Sequence, residues 1–155
     1  TEQPIALLIV GGGPHLLRLK QWCAEEISLP DVHFLGEIIE GVGAYFALCD
    51  IFVLPSEGGL ALNQAMVYGK PVIATSADGT EVDLIQQGGN GYIVAEDDIM
   101  ALAEAIMRIL KNPVRQREMG ILSSVFMREK FTLDNMVKGF VTSIRSSFGE
   151  RKKLC

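Results

Sequence analysis

The 155 residues are 48% hydrophobic and 21% charged, with a net charge of −5 and a pI near 5.0. That is one domain's length with enough apolar mass for a packed core, which excludes a disordered chain. The acidic balance supplies no basic field for a phosphate backbone and excludes nucleic acid as a partner.

Short apolar runs at 5–10, 32–35, 51–54, 72–75 and 92–94 lack polar alternation. They predict strands of a parallel sheet covered on both faces. Helical patterns over 16–28, 41–49, 59–68 and 81–87 lie between them. The alternation predicts βαβ units and a doubly wound α/β fold. After Val94 the pattern turns helical. Asp97 or Asp98 caps a helix to about Lys111, Pro113 opens one to about Glu129, and Thr132 caps the last. The stripes Ile99, Leu102, Ala103, Ile106, Leu110 and Leu133, Met136, Val137, Phe140, Val141, Ile144 are assigned to the core. A partner-binding face is the second reading for the last one. No linker or repeat interrupts the chain, so residues 1–155 are expected to form one domain.

Cys23, Cys49 and Cys155 are odd in number and widely spaced, which argues against disulfides and zinc. Cys49 is expected in the core. No run reaches the ~18 apolar residues of a membrane span. The N-terminus lacks the pattern of a secretory leader, so a cytoplasmic location is expected. The basic tail Arg151-Lys-Lys153 reads as solvated, with attraction to a membrane surface as the minor reading.

Chemistry gathers where strands end. Gly11-Gly-Gly-Pro14 follows the first strand and reads as a tight turn or as a close approach to ligand. It is neither a P-loop nor a dinucleotide fingerprint. His15 reads as a helix-start residue and His33 as a packed imidazole. Glu57 follows Pro55-Ser56 at a strand end, just ahead of a helix. A carboxylate there can accept ligand hydroxyls or face positive charge developing on a sugar carbon. It can equally favour the helix dipole alone. Gly58 to Ala61 offer helix-start amides suited to a diphosphate. Gln64 is expected two turns along the same helix, sharing a face with Glu57. Gly69 reads as the helix C-terminal glycine and Lys70 as solvated. Asp78-Gly-Thr80-Glu81 is a second possible anion cradle, or a plain helix cap. Gln87-Gly-Gly-Asn-Gly91 is a structural connection.

In this order the segments resemble the C-terminal, donor-binding half of a family 4 retaining glycosyltransferase of the GT-B fold. The resemblance covers roughly 7–120. It rests on Leu7-Leu-Ile-Val-Gly-Gly-Gly-Pro14, Val32-His-Phe-Leu-Gly36, Asp50-Ile-Phe-Val-Leu-Pro-Ser56 and Glu57-Gly-Gly. It continues through Gln64-Ala-Met-Val-Tyr-Gly-Lys-Pro-Val-Ile-Ala-Thr75, Gly79-Thr-Glu81 and Gly88-Gly-Asn-Gly-Tyr-Ile-Val94.

The resemblance implies a Rossmann-like domain that binds a UDP- or GDP-linked sugar for hexosyl transfer with retention, with no cofactor and no required metal. It implies Glu57 against the donor sugar, Gln64 at the ribose, and the helix-start amides near Gly58, Gly59 and Leu60 at the diphosphate. It places Gly36, Glu37 and Ile38 near the base, with Gly12, Gly13, Gly79 and Glu81 in the donor-site loops. Polysaccharide or glycolipid assembly is the implied setting. The implied partners are an acceptor-binding N-terminal domain and, for the full-length enzyme, a peripheral membrane surface or a second copy.

The sequence departs from the family's pattern in three ways. Six residues separate Glu57 from Gln64, one fewer than the family's usual spacing between two glutamates, and the second acid is replaced by an amide. The acceptor half lies outside the chain, so transfer by this chain alone is not expected. The family's first donor-domain strand has no counterpart, so the sheet is expected either to close directly or to borrow a strand. The alternatives are a catalytically degenerate binding or scaffold module and a nucleotide-sugar epimerase-like domain. A nicotinamide dehydrogenase is disfavoured, because no G-x-G-x-x-G is present.

Overall fold

Residues 4–26 and 31–151 are described by the computed structural model. The chain divides at Val42 into two units, Thr1–Val42 and Gly43–Cys155. The last two residues of the helix expected over 16–28 lie outside the described residues, as do most of the basic tail and Cys155.

The first unit is a βαβ element: β1 (Leu7–Val10), α1 (Leu16–Glu26) and β2 (Val32–Gly36). The strands pair in parallel, Leu7 with Val32 through Val10 with Gly36, with a register shift between Ile9 and Val10. The ladder continues past the strand into the glycine turn, where Gly11 N–H donates to the Gly36 carbonyl at 2.8 Å. Gly36 has φ of 71°, a conformation that favours glycine and turns the chain out of β2. Lys20 of α1 lies over the Phe34 ring of β2. None of the described side chains of this unit is fully buried. His33 is likewise exposed, not packed.

The second unit runs α2 (Gly43–Leu48), β3 (Phe52–Leu54), α3 (Gly59–Val67), β4 (Val72–Thr75), α4 (Thr80–Leu84) and β5 (Gly91–Val94). Three helices follow: α5 (Ile99–Leu110), α6 (Pro113–Lys130) and α7 (Leu133–Arg151). β3, β4 and β5 form a parallel ladder with β4 in the centre. Every residue of β4 is buried, as its unbroken apolar run requires. On one face Ile73 packs with Ala105 and Ile109 of α5 and Met119 of α6. Val72 and Ala74 point to the opposite face, by the period of two.

Local signals account for most helix ends. Asp98 caps α5 by accepting from Ala101 N–H, and Asn112 caps α6 ahead of Pro113. Thr132 Oγ1 accepts from Asn135 N–H at the start of α7. At the end of α3, Gly69 has φ of 68° and donates to Met66 O while Lys70 N–H donates to Ala65 O. That is the paired-bond motif a C-terminal glycine permits.

The described strands form two ladders, β1–β2 within the first unit and β3–β4–β5 within the second. Two expectations are corrected. On α5 the expected Leu102 and Ile106 do pack against the core, but the fully buried positions are Ala105 and Ile109, and Ile99, at the open first turn after the Asp98 cap, is 77% exposed. On α7 the apolar stripe stays at the surface, from Val141 at 40% to Leu133 at 70% exposed. No other element of the described residues packs broadly against it. No helix of the described residues is long and apolar enough to cross a membrane.

Candidate functional site

The expected site residues fall into two groups, one in each unit. In the first unit Gly12, Gly13, Gly36, Glu37 and Ile38 lie just past the C-terminal ends of β1 and β2. Gly13 has φ of 144°. A Cβ built on Gly12 would touch the Glu37 side chain at 3.6 Å, so the two turns are neighbours.

In the second unit β3 ends at Leu54, and Pro55-Ser56-Glu57 leads into α3. Gly58 is the N-cap, with φ of 144° and ψ of 62°, and it offers no side chain to the first turn. No acidic side chain stands in that turn either. The open amides of Gly59 and Leu60 therefore carry the positive end of the helix dipole into solvent. Glu57 is exposed. None of the hydrogen bonds or ion pairs of the described residues engages its side chain.

The expectation that Glu57 and Gln64 share one helix face is corrected. α3 begins at Gly59, and the non-helical Gly58 intervenes, so helical periodicity does not run back to Glu57. Gln64 is exposed on the helix itself. Beside it, Asn63 has its Oδ1 shut away from solvent without a hydrogen-bond partner.

The turn after β4 is held from within. Asp78 Oδ1 accepts from Thr80 N–H at 2.9 Å. That bond, with the Thr80 hydroxyl, holds the Asp78 carboxyl below the usual carboxylate range. Gly79 is the N-cap of α4, with φ of 92°. Glu81 is 5% exposed. Its Oε1 accepts from Ala77 N–H at 2.9 Å and its Oε2 from Gly79 N–H at 3.1 Å. The resemblance placed Glu81 in a donor-site loop, and its carboxylate faces the backbone of that loop.

One contact was not legible in the sequence. A Cβ on Gly59 would collide with Thr80 Cγ2, so the start of α4 rests on the first residue of α3. The only sequence signal was that both residues stand at helix starts. Lys70, expected in solvent, donates to the Ala47 carbonyl near the end of α2 at 2.8 Å. Cys49 is half-buried rather than in the core.

Glycine turns and helix starts thus line the C-terminal ends of parallel strands, where open α/β sheets take ligands. The pattern of "Glycosyl transferases group 1" matches residues 1–112. A GDP-mannose-dependent alpha-(1-6)-phosphatidylinositol monomannoside mannosyltransferase of Mycolicibacterium smegmatis is 31% identical over 127 residues, covering 75% of this chain and 33% of the relative. Among solved structures, sucrose-phosphate synthase of Thermosynechococcus elongatus superposes with a TM-score of 0.76 at 28% identity, covering 93% of this chain and 39% of that one. Anabaena Alr3699/HepE, in complex with UDP, superposes with a TM-score of 0.79 at 20% identity, covering 92% and 41%. The chain spans about a third of the length of the curated relatives it matches. That pattern spans more than half of the chain, and a relative 31% identical covers three quarters of it, so the chain belongs to the group 1 glycosyl transferases.

Proposed function

We propose that the chain is the donor-binding part of a retaining, nucleotide-sugar-dependent glycosyltransferase that moves a hexosyl unit to a glycan, lipid or polysaccharide-precursor acceptor. The observation that carries this reading is Glu57, exposed and unengaged among the described residues, beside a helix start that has no capping side chain. The open amides of α3 suit the diphosphate leaving group, whose charge grows as the glycosidic bond breaks. Glu57 stands ready to accept from donor hydroxyls and to balance positive charge at the anomeric carbon. Gln64 can donate to and accept from ribose hydroxyls without adding charge. The loop Gly36, Glu37, Ile38 is assigned to the base. Relatives named for GDP-mannose and a structural neighbour holding UDP support a nucleotide-diphosphate ligand.

The test is a calorimetric titration of the chain with UDP, GDP and their common sugar conjugates, alongside Glu57→Ala. The expected result is saturable binding of one nucleotide class, with the sugar's added affinity lost in Glu57→Ala. Sugar conjugates that bind no tighter than the bare nucleotide to the unsubstituted protein would refute the role given to Glu57.

One observation favours a second reading, a degenerate binding module: Gln64 stands where the family carries an acid. Gln64→Glu in the full-length enzyme separates the two. A fall in donor affinity marks Gln64 as an adapted contact. A full-length protein that binds no nucleotide sugar with either residue supports the module.

A further inference from the structure

We infer that Glu81 is a positioning residue, whose buried carboxylate clamps the turn Ser76–Thr80 against the start of α3. The inference rests on the donor-binding reading of α3.

β4 runs out at Thr75, and Ser76 N–H makes one last bond to the Val94 carbonyl at 2.9 Å. Beyond it the chain must turn and start α4 with no further ladder to hold it. A turn of this kind, left in water, exchanges among conformers and loses entropy on being ordered. Glu81 removes that freedom. Its two oxygens take the Ala77 and Gly79 amides, four and two residues back in sequence. A carboxylate accepting backbone N–H groups makes the stronger, charge-assisted kind of bond.

Glu81 is almost fully buried, and no ion pair of the described residues includes it. A buried carboxyl group is tolerated where its oxygens are hydrogen-bonded. The next link is steric. Thr80, the residue before Glu81, sits where a side chain on Gly59 would be, so the clamped turn fixes the space at the first residue of α3. Both oxygens being engaged, Glu81 shapes the site through this turn and does not itself meet the ligand.

Amide hydrogen exchange by NMR on the unliganded chain tests the clamp without reference to any nucleotide. In Glu81→Ala, exchange at Ala77 and Gly79 is expected to rise roughly tenfold or more, the factor that one ordinary hydrogen bond represents. Ile73 and Ala74 of β4 should keep their protection. Glu81→Gln, which keeps shape and one acceptor oxygen, should fall between and serves if the alanine variant does not fold. UDP or GDP affinity should drop alongside, with the glutamine variant partly restoring it.

Unchanged exchange at Ala77 and Gly79 would overturn the clamp. So would protection lost throughout β4, which marks a general structural role. Weakened nucleotide binding with an undisturbed turn would overturn it in favour of direct contact. A freed turn with undiminished nucleotide affinity would overturn the link to the site. If the unsubstituted chain binds neither UDP nor GDP while the turn responds as expected, the donor-binding reading fails and the clamp stands.

Discussion

Asn90 shows what one buried amide does in this chain. It is 1% exposed. Its Oδ1 accepts from Gln86 N–H at 2.8 Å, and its Nδ2 donates to the Leu84 carbonyl at 3.0 Å. Asn90→Ala leaves both backbone groups without partners and should cost about 2–3 kcal/mol, read as a lower urea midpoint with an unchanged slope. The next residue, Gly91, admits no side chain, because a Cβ there would collide with the Val72 carbonyl of the neighbouring strand. Two titrating groups give further expectations. Burial pushes the Cys49 thiol up, the Asp50 carboxylate adds to that, and Lys70 opposes it. Alkylation of Cys49 near neutral pH should therefore run slower than that of a free thiol and speed up on unfolding. Asp78 has the opposite shift. With its folded value depressed, its contribution is complete above the ordinary carboxylate range and is lost as pH falls through the lowered value. Asp78→Ala should flatten that acid-side loss in urea melts stepped down from neutral pH.

At the scale of elements, α3 and α6 approach unusually closely. A Cβ on Gly120 of α6 would collide with the Gly69 carbonyl, which is itself fixed by the C-terminal motif of α3. Nothing flexible stands on either side to yield. Gly120→Ala gains helix propensity, which favours alanine by ~1 kcal/mol. The steric cost of prying two packed helices apart, about 1–3 kcal/mol, opposes and should outweigh it. A fall in melting temperature checks the sign. α7 makes the contrary case. Its stripe of Leu133, Met136, Val137, Phe140, Val141, Ile144 and Phe148 is exposed along its length. Ending the chain before Leu133 should leave the stability of the second unit almost unchanged, read as an unaltered melting temperature.

For the whole molecule, burial is unequally shared. β4 is buried at every position and anchors a core with α5 and α6, whereas β1 keeps Leu7 at 51% and Val10 at 42% exposure. Stability measured locally follows buried apolar contact. Amides of β4 should therefore exchange slowest, at rates set by global unfolding, and those of β1 and β2 faster by ~100-fold or more. A single rate across both ladders would contradict that division.

Much of this chain was legible in its sequence, because the signals concerned are short-ranged. Runs of Val, Ile and Leu marked the strands, Asp98, Pro113 and Thr132 marked helix starts, and Gly69 marked a helix end. Each of these acts within a turn or two of backbone, where sequence neighbours are also spatial neighbours. The glycine turns and Glu57 were placed at strand ends for the same reason. What the tertiary structure alone decided depends on residues distant in the chain or on a rotation that one residue can shift. Gly58 breaks the helical phase between Glu57 and Gln64, Thr80 meets Gly59 across two elements, and Lys70 finds a carbonyl 23 residues away. Periodicity showed that the last helix has an apolar face, but it carried no information on what covers that face. Burial is a property of the neighbours, and among the described elements none packs broadly along the α7 stripe.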